Sequence, residues 1–175
     1  MLRSQTYLGT LFFLVLFSVS GRAWAEVAPL FHVETGASTL LTDRYNDKFD
    51  FGFHVNARLG LRVAGPLSVQ ISSTNMWFPV EGEDFGTLNT VQGGLRIWHR
   101  LNGGEGRIGG PYVDANAGVG FTGDLLRFVF DFAVGWDFTV TRWLGLGPSF
   151  RYLHIVQSED ANVPDDGYFL VFGLG

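Results

Sequence analysis

The sequence predicts an all-β chain that closes as an eight-stranded antiparallel up-and-down transmembrane β-barrel, and three observations predict it. Apolar and polar residues alternate with period two in segments spread over residues 26–175. The apolar parity carries several large aromatics per strand, more than a narrow eight-stranded interior holds, so the bulk points outward. The links between segments are long and polar at one end and mostly tight at the other. Composition agrees: 24 glycines and 15% aromatics beside only 17% charged residues are far from the disordered class and fit strands joined by tight turns.

Residues 1–25 read as a secretory signal peptide. Arg3 lies in a short positive start, Tyr7 to Val19 is an apolar run too short to span a bilayer as a helix, and Ala23-Trp24-Ala25 is a small-residue exit. The mature chain then begins at Glu26, with residues 26–175 as one barrel domain. An uncleaved N-terminal anchor is the alternative. No later run of apolar residues is long enough for a transmembrane helix.

Eight alternating segments follow. Leu30 to Ser38 sets Phe31, Val33, Thr35 and Ala37 against His32, Glu34 and Gly36. Phe51 to Val63 is the clearest, with Phe51, Phe53, Val55, Ala57, Leu59, Leu61 and Val63 opposed to Gly52, His54, Asn56, Arg58, Gly60 and Arg62. Period two over such a length means a strand with one greasy and one wet face. Leu67 to Thr74, Val91 to Arg100 and Pro111 to Phe121 repeat the pattern. Arg127 to Val140 places Phe128, Phe130, Phe132, Val134, Trp136 and Phe138 on one side and Asp131, Ala133, Gly135 and Asp137 on the other. Leu144 to Tyr152 and Tyr168 to Gly175 complete the set. Phe51, Phe53, Trp77, Phe78, Tyr152 and Tyr168 near one rim, and Trp136, Phe138 and Trp143 near the other, suit interfacial girdles. A β-sandwich with these aromatics in its core is the competing architecture.

With the N-terminus in the periplasm, the long links near 39–50, 79–86 and 157–167 fall outside the cell, and the tight ones near 64–66 and 141–142 inside. Two links fit poorly. Leu101 to Gly110 (LNGGEGRIGG) is long for a periplasmic turn, and Thr122-Gly123-Asp124 is short for an outer loop.

Charge separates by location. The chain has 12 basic and 17 acidic residues, a net −5, and without Arg3 and Arg22 of the leader the remainder is at −7. No basic surplus exists to neutralise phosphates, which argues against a nucleic-acid partner. On the inward parity, Arg58, Arg62, Arg96, Arg127 and Arg151 face Glu34, Asp114, Asp131 and Asp137. An ion-selective pore calls for one dominant sign, whereas near balance predicts a lumen ion-pair network that fills the bore. Glu34 with Arg58, Arg96 with Asp114, and Asp131 with Arg151 are the adjacent-strand pairs. The outer loops carry Asp43, Asp47, Asp50, Glu81, Glu83, Asp84, Glu159, Asp160, Asp165 and Asp166 against Arg44 and Lys48, so the net charge is displayed outside. Divalent cations bridging these carboxylates to lipopolysaccharide phosphates is one reading; a solvated, repulsive surface is the other.

On strand number, alternation and loop polarity, residues 26–175 resemble the eight-stranded outer-membrane barrel family, the barrel domains of outer-membrane protein A and its relatives. The resemblance implies residence in the outer membrane of a Gram-negative envelope, insertion by the barrel-assembly machinery, and contact with outer-membrane lipids and lipopolysaccharide. Two departures stand out: the chain stops at Phe172-Gly173-Leu174-Gly175 where family members often close on an aromatic, and no peptidoglycan-binding domain follows. They leave open an incomplete last strand or a longer parent protein.

Chemistry-bearing motifs are sparse. With 0 cysteines there is no disulfide, thiolate metal site or cysteine nucleophile. Some small outer-membrane barrels act on lipid A with a His-Ser-acid group at the lipid-facing rim, but no His-x-Ser element occurs here, and the acids close to His154 in sequence are Glu159 and Asp160. His32 and His54 face inward and His99 lies near the periplasmic rim. Gly103-Gly104-Glu105-Gly106 lacks the Lys-Ser/Thr of a phosphate loop and reads as a flexible turn. The expected protein is therefore a non-catalytic barrel, with no cofactor and no metal site, and a structural or surface-interaction role. A narrow, porin-like channel for ions or small solutes is the runner-up and a lipid A-modifying enzyme comes third.

Overall fold

The computed structural model describes residues 29–42, 51–79, 85–99, 101–103, 106–123, 125–139, 145–156 and 166–175. Ten strands run in chain order: β1 (Pro29–Leu40), β2 (Gly52–Ala64), β3 (Leu67–Phe78), β4 (Gly86–Trp98), β5 (Leu101–Gly103), β6 (Gly106–Thr122), β7 (Leu125–Thr139), β8 (Gly145–Leu146), β9 (Pro148–Val156) and β10 (Gly167–Leu174). Eight of them are staves of a closed antiparallel barrel, in the ring order β1-β2-β3-β4-β6-β7-β9-β10. β10 returns to β1 through the register Thr35↔Leu174 to Leu40↔Phe169, which closes the ring. Each stave has a hydrogen-bonding neighbour on both sides, so closure satisfies backbone groups that an open edge leaves free. The short β8 prolongs the line of β9 along β7, and the break between them, at Gly147, is bridged by its backbone hydrogen bonds to Gly175.

Alternation dictates what each face meets. Outward go Phe31, Leu59, Ile71, Ile97, Val113, Phe128, Phe132 and Phe172, all exposed; inward go Glu34, His54, Asn56, Arg58, Arg96, Asp114, Asp131 and Arg151, all buried. Among the described residues, 27 large apolar side chains are exposed while 11 apolar residues are buried. That inversion of the soluble-protein rule identifies the apolar belt as the outer wall and rules out a β-sandwich with an aromatic core.

The two ends of the barrel differ. At one, the end of the longer links after β1, β3 and β9, lies the tight hairpin Thr122↔Leu125, which turns through Gly123 at φ 58°. At the other, β2 passes to β3 through Gly65 at φ 48°, after an irregularity between Arg62 and Ala64. Glycine suits both turns because an L side chain is strained at positive φ.

The link over Leu101 to Gly110, long for a periplasmic turn, is largely strand. β5 folds back on the start of β6, with Leu101↔Gly109 and Gly103↔Gly106, so the segment forms a two-stranded ribbon prolonging the 17-residue β6 below the barrel. Strand pairing uses the length that a bare turn leaves unexplained.

Candidate functional site: the stratified lumen

Inward parity alone brings polar side chains into the bore, and closure then decides which of them touch. The three expected adjacent-strand pairs all form. Arg58 Nη2 pairs with Glu34 Oε2, Arg96 holds Asp114 through Nε and Nη2 at 2.7 and 3.0 Å, and Arg151 Nη1 lies 2.5 Å from Asp131 Oδ1. Two parallel N–H donors on one carboxylate is the strong Arg geometry.

Contacts across the bore join these pairs. Arg58 Nη1 donates to Asp114 Oδ2 at 2.6 Å although β2 and β6 are separated by β3 and β4. Arg151 Nη2 lies 3.7 Å from Glu34 and 4.0 Å from Asp114. Asp114 is therefore ringed by three guanidinium groups, from β2, β4 and β9. Neutral side chains extend the network: Arg58 Nε donates to Asn56 Oδ1 at 2.6 Å, and Asn56 Nδ2 donates to Thr74 Oγ1. Gln70 donates to Asn116 Oδ1 and Asn116 Nδ2 to Asp131 Oδ1, each at 2.8 Å. His54 is fully buried with Nε2 at 3.4 Å from Glu34 Oε1. Space for this comes from the inward glycines: a Cβ on Gly173 runs into the Glu34 and Ser149 side chains.

Other expected members stand at the edges. Arg96 Nη1 is 3.6 Å from Asp137 Oδ2, and the Arg96 guanidinium lies over the Tyr112 ring at 3.9 Å. Arg62, expected as a member of the lumen network, lays its guanidinium over Trp98 at 4.4 Å, a cation–π contact. Arg127 sits near the long-loop end of β7, opposite Gly120. Asn56, Thr74, Gln70, Asn116 and Tyr112 join the network beyond its expected members, and their shared inward parity is the signal for it.

Towards the long-loop end the lining changes. Leu40, Met76, Phe78, Leu88, Val129, Leu153, Ile155, Phe169 and Val171 form one buried apolar cluster contributed by β1, β3, β4, β7, β9 and β10. Phe78 and Phe169 meet with ring centroids 5.5 Å apart. This corrects the placement of Phe78 in the outer aromatic girdle: it points inward, whereas Trp77 faces out and stacks on Phe53 at 4.8 Å. It also corrects the expectation of a uniformly polar bore.

Of the acidic loop residues, Asp43, Asp47, Asp50, Glu81, Glu83, Asp84, Glu159, Asp160 and Asp165 lie outside the described residues, as do the leader and Trp143. Asp166 is described, and it is the acid beside His154: His154 Nε2 lies 2.9 Å from Asp166 Oδ2, so neither Glu159 nor Asp160 is needed for that role. The pairing of β9 with β10, Tyr168↔His154, sets this up, and His154 is sandwiched between Phe130 and Tyr168. The Thr42 hydroxyl donates to the Asp166 carbonyl at 3.1 Å and accepts from the Tyr168 N–H at 3.2 Å. Among the described residues no group of three or more His, Asp or Glu is placed to hold a metal ion.

Greasy outside, polar in the middle and closed on itself, the molecule has the eight-stranded antiparallel fold of the outer-membrane barrel class. The crystal structure of Neisserial surface protein A (NspA) has the same fold: it superposes with a TM-score of 0.56 over 84% of this chain and 97% of that one, at 16% sequence identity. No protein-family model matches the chain, and no curated protein matches it.

Proposed function

We propose that this is a non-catalytic outer-membrane β-barrel with a closed lumen, serving a structural or surface-interaction role through its acidic loops. The observation that carries the reading is the stratified bore, in which a charge-balanced ion-pair layer lies under a buried apolar layer. Three arginines against three carboxylates present no dominant sign to a permeating ion, and the apolar layer offers a desolvated ion no ligands. This favours a plug over the channel alternative.

The exposed belt supports membrane residence, because hydrocarbon is the solvent in which so many outward Phe, Leu, Ile and Val side chains cost nothing. Residues 1–25 supply the export signal in this reading, and the barrel-assembly machinery and lipopolysaccharide are its partners. A surface role accords with the printed name of the structural neighbour. At the rim, His154 and Asp166 act as a clasp between β9 and β10. Among the described residues, the Thr42 hydroxyl beside this pair has both its proton and a lone pair engaged.

Planar-bilayer recording of the full chain tests the closed lumen: no steady single-channel steps are expected, and steps abolished by Arg96→Ala overturn it. On unboiled and boiled detergent gels a closed barrel migrates differently; identical migration, with the chain monodisperse in plain buffer, overturns the membrane assignment. Incubation with lipid A leaves its acyl chains unchanged by mass; a deacylated or palmitoylated product overturns the non-catalytic role. Divalent-cation bridging predicts that chelation changes loop protease sensitivity, and an unchanged digest removes it.

A further inference from the structure

One arginine of the inward parity stands apart from the network. Arg58, Arg96 and Arg151 each hold a carboxylate, and Arg127 stands at the long-loop end. Arg62 has neither a hydrogen bond nor an ion pair among the described residues, and its Nε is shielded from solvent without an acceptor. Its one partner there is Trp98, whose ring centre lies 4.4 Å from the guanidinium carbon. A ring face answers the charge but not the hydrogens. Guanidinium N–H groups lie in the plane of the group and point along its edges, so stacking leaves them without acceptors. Shielding such a donor from water without pairing it is costly.

Local structure puts this cation at the mouth of the bore. The register of β2 against β3 breaks just after Arg62, ahead of the turn at Gly65 and Pro66, and a rim irregularity of this kind re-aims a side chain. Ser68 of β3 stands directly across from Arg62, and on its other side directly across from Arg96 of β4. Ser68 is only 1% exposed, and its hydroxyl has no hydrogen-bond partner. Two neighbouring donors therefore have nothing to donate to. Asp137 of β7, the described carboxylate at this mouth, is turned to Arg96 at 3.6 Å. Gln70 and Asp137 stay partly exposed although they face inward, so solvent reaches this end of the bore, whereas Ser72, Thr74 and Met76 further along β3 are buried.

From these observations we propose that the mouth opposite the long loops binds a soluble oxyanion, a carboxylate or a phosphate, with Arg62 as its cation and the Ser68 hydroxyl as a second donor. The edge of a guanidinium matches two oxygens of either group, and stacking on Trp98 fixes the plane before the anion arrives. Inward parity turns the site away from the lipid-facing wall, so the anion comes from water. On the membrane-barrel reading above, that water is the periplasm.

The arginine Nε–H resonances of the isotope-labelled full chain in uncharged detergent read the site. Arg62→Gln, which leaves the three ion pairs in place, identifies the signal of Arg62, and heat-modifiable migration shows that each variant closes its barrel. Titration with sodium acetate and with inorganic phosphate, at an ionic strength held constant with sodium chloride, is expected to move that signal saturably while those of Arg58, Arg96 and Arg151 stay in place. Ser68→Ala is expected to weaken the apparent Kd about threefold, and in Arg62→Gln the Trp98 indole N–H is expected to need about tenfold more anion for the same response. An Arg62 signal that stays still, or one that moves in step with every other arginine, overturns the site. Phosphatidylglycerol that displaces inorganic phosphate in the same micelle, dependent on Arg62, overturns the soluble source in favour of a lipid headgroup. A chain recovered in the soluble fraction overturns the periplasmic address together with the membrane reading, while the titration still decides the site.

Discussion

The two layers of the bore use opposite chemistry for the same task. In the charged layer each side chain depends on several others: Asp114 answers to Arg58, Arg96 and Arg151, which reach it from three different staves. In the apolar layer Met76, Leu88, Leu153 and Val171 meet by shape alone, without a directional bond. Ion pairs taken out of water gain little net energy while complete and lose heavily when one partner is removed. Close-packed apolar groups lose in proportion to the volume deleted. One layer thus specifies geometry and the other adds stability that degrades gradually.

Substitutions separate the two behaviours. The largest effect is expected at Asp114→Leu, which removes the carboxylate shared by three buried guanidinium groups and takes from Arg96 its bidentate partner, at a cost of about 3–5 kcal/mol; urea unfolding in lipid vesicles, followed by the heat-modifiable gel shift, measures it. A loss under about 1 kcal/mol would mean that the network is already hydrated and loosely coupled. Next comes Leu153→Ala in the apolar layer, at about 2–4 kcal/mol in the same assay. Combined with Asp114→Leu it should add independently, because the residues share no partner, whereas Glu34→Leu with Arg58→Met should fall well short of the sum of its parts. Removing charge alone, as in Arg96→Ala, should leave the bilayer silent because the apolar layer still closes the bore; steady current from that variant would erase the distinction between layers. Smaller effects belong to the edges. Asp166→Asn at the half-exposed clasp is expected to cost about 0–1 kcal/mol, and Arg62→Ala about 0.5–1 kcal/mol through its lost stacking on Trp98.

Much of this is legible in the sequence. Asp131 and Arg151 sit on the wet parity of neighbouring segments, so their meeting needed only correct strand order. Phe78 was not legible in the same way: an aromatic near a strand end suits a girdle and a plug equally, and only the parity carried on from Thr74 through Met76 separates them. Asp166 adjoins a run of acids and so reads as loop, and the Tyr168↔His154 register draws it to the rim. The ribbon of β5 and β6 is not legible in the sequence, because Gly-rich segments carry no alternation.

Side-chain size and polarity, repeating every second residue, settle which surface meets hydrocarbon and which is enclosed, because a strand sends successive side chains to opposite faces whatever its neighbours do. Height within the bore is a different matter. It depends on the tilt of the staves and the stagger accumulated through every pairing around the ring, a property of the closed whole that no single segment contains. Closure therefore determined that Arg58 reaches Asp114 across the lumen, and that charge and hydrocarbon settle into separate storeys.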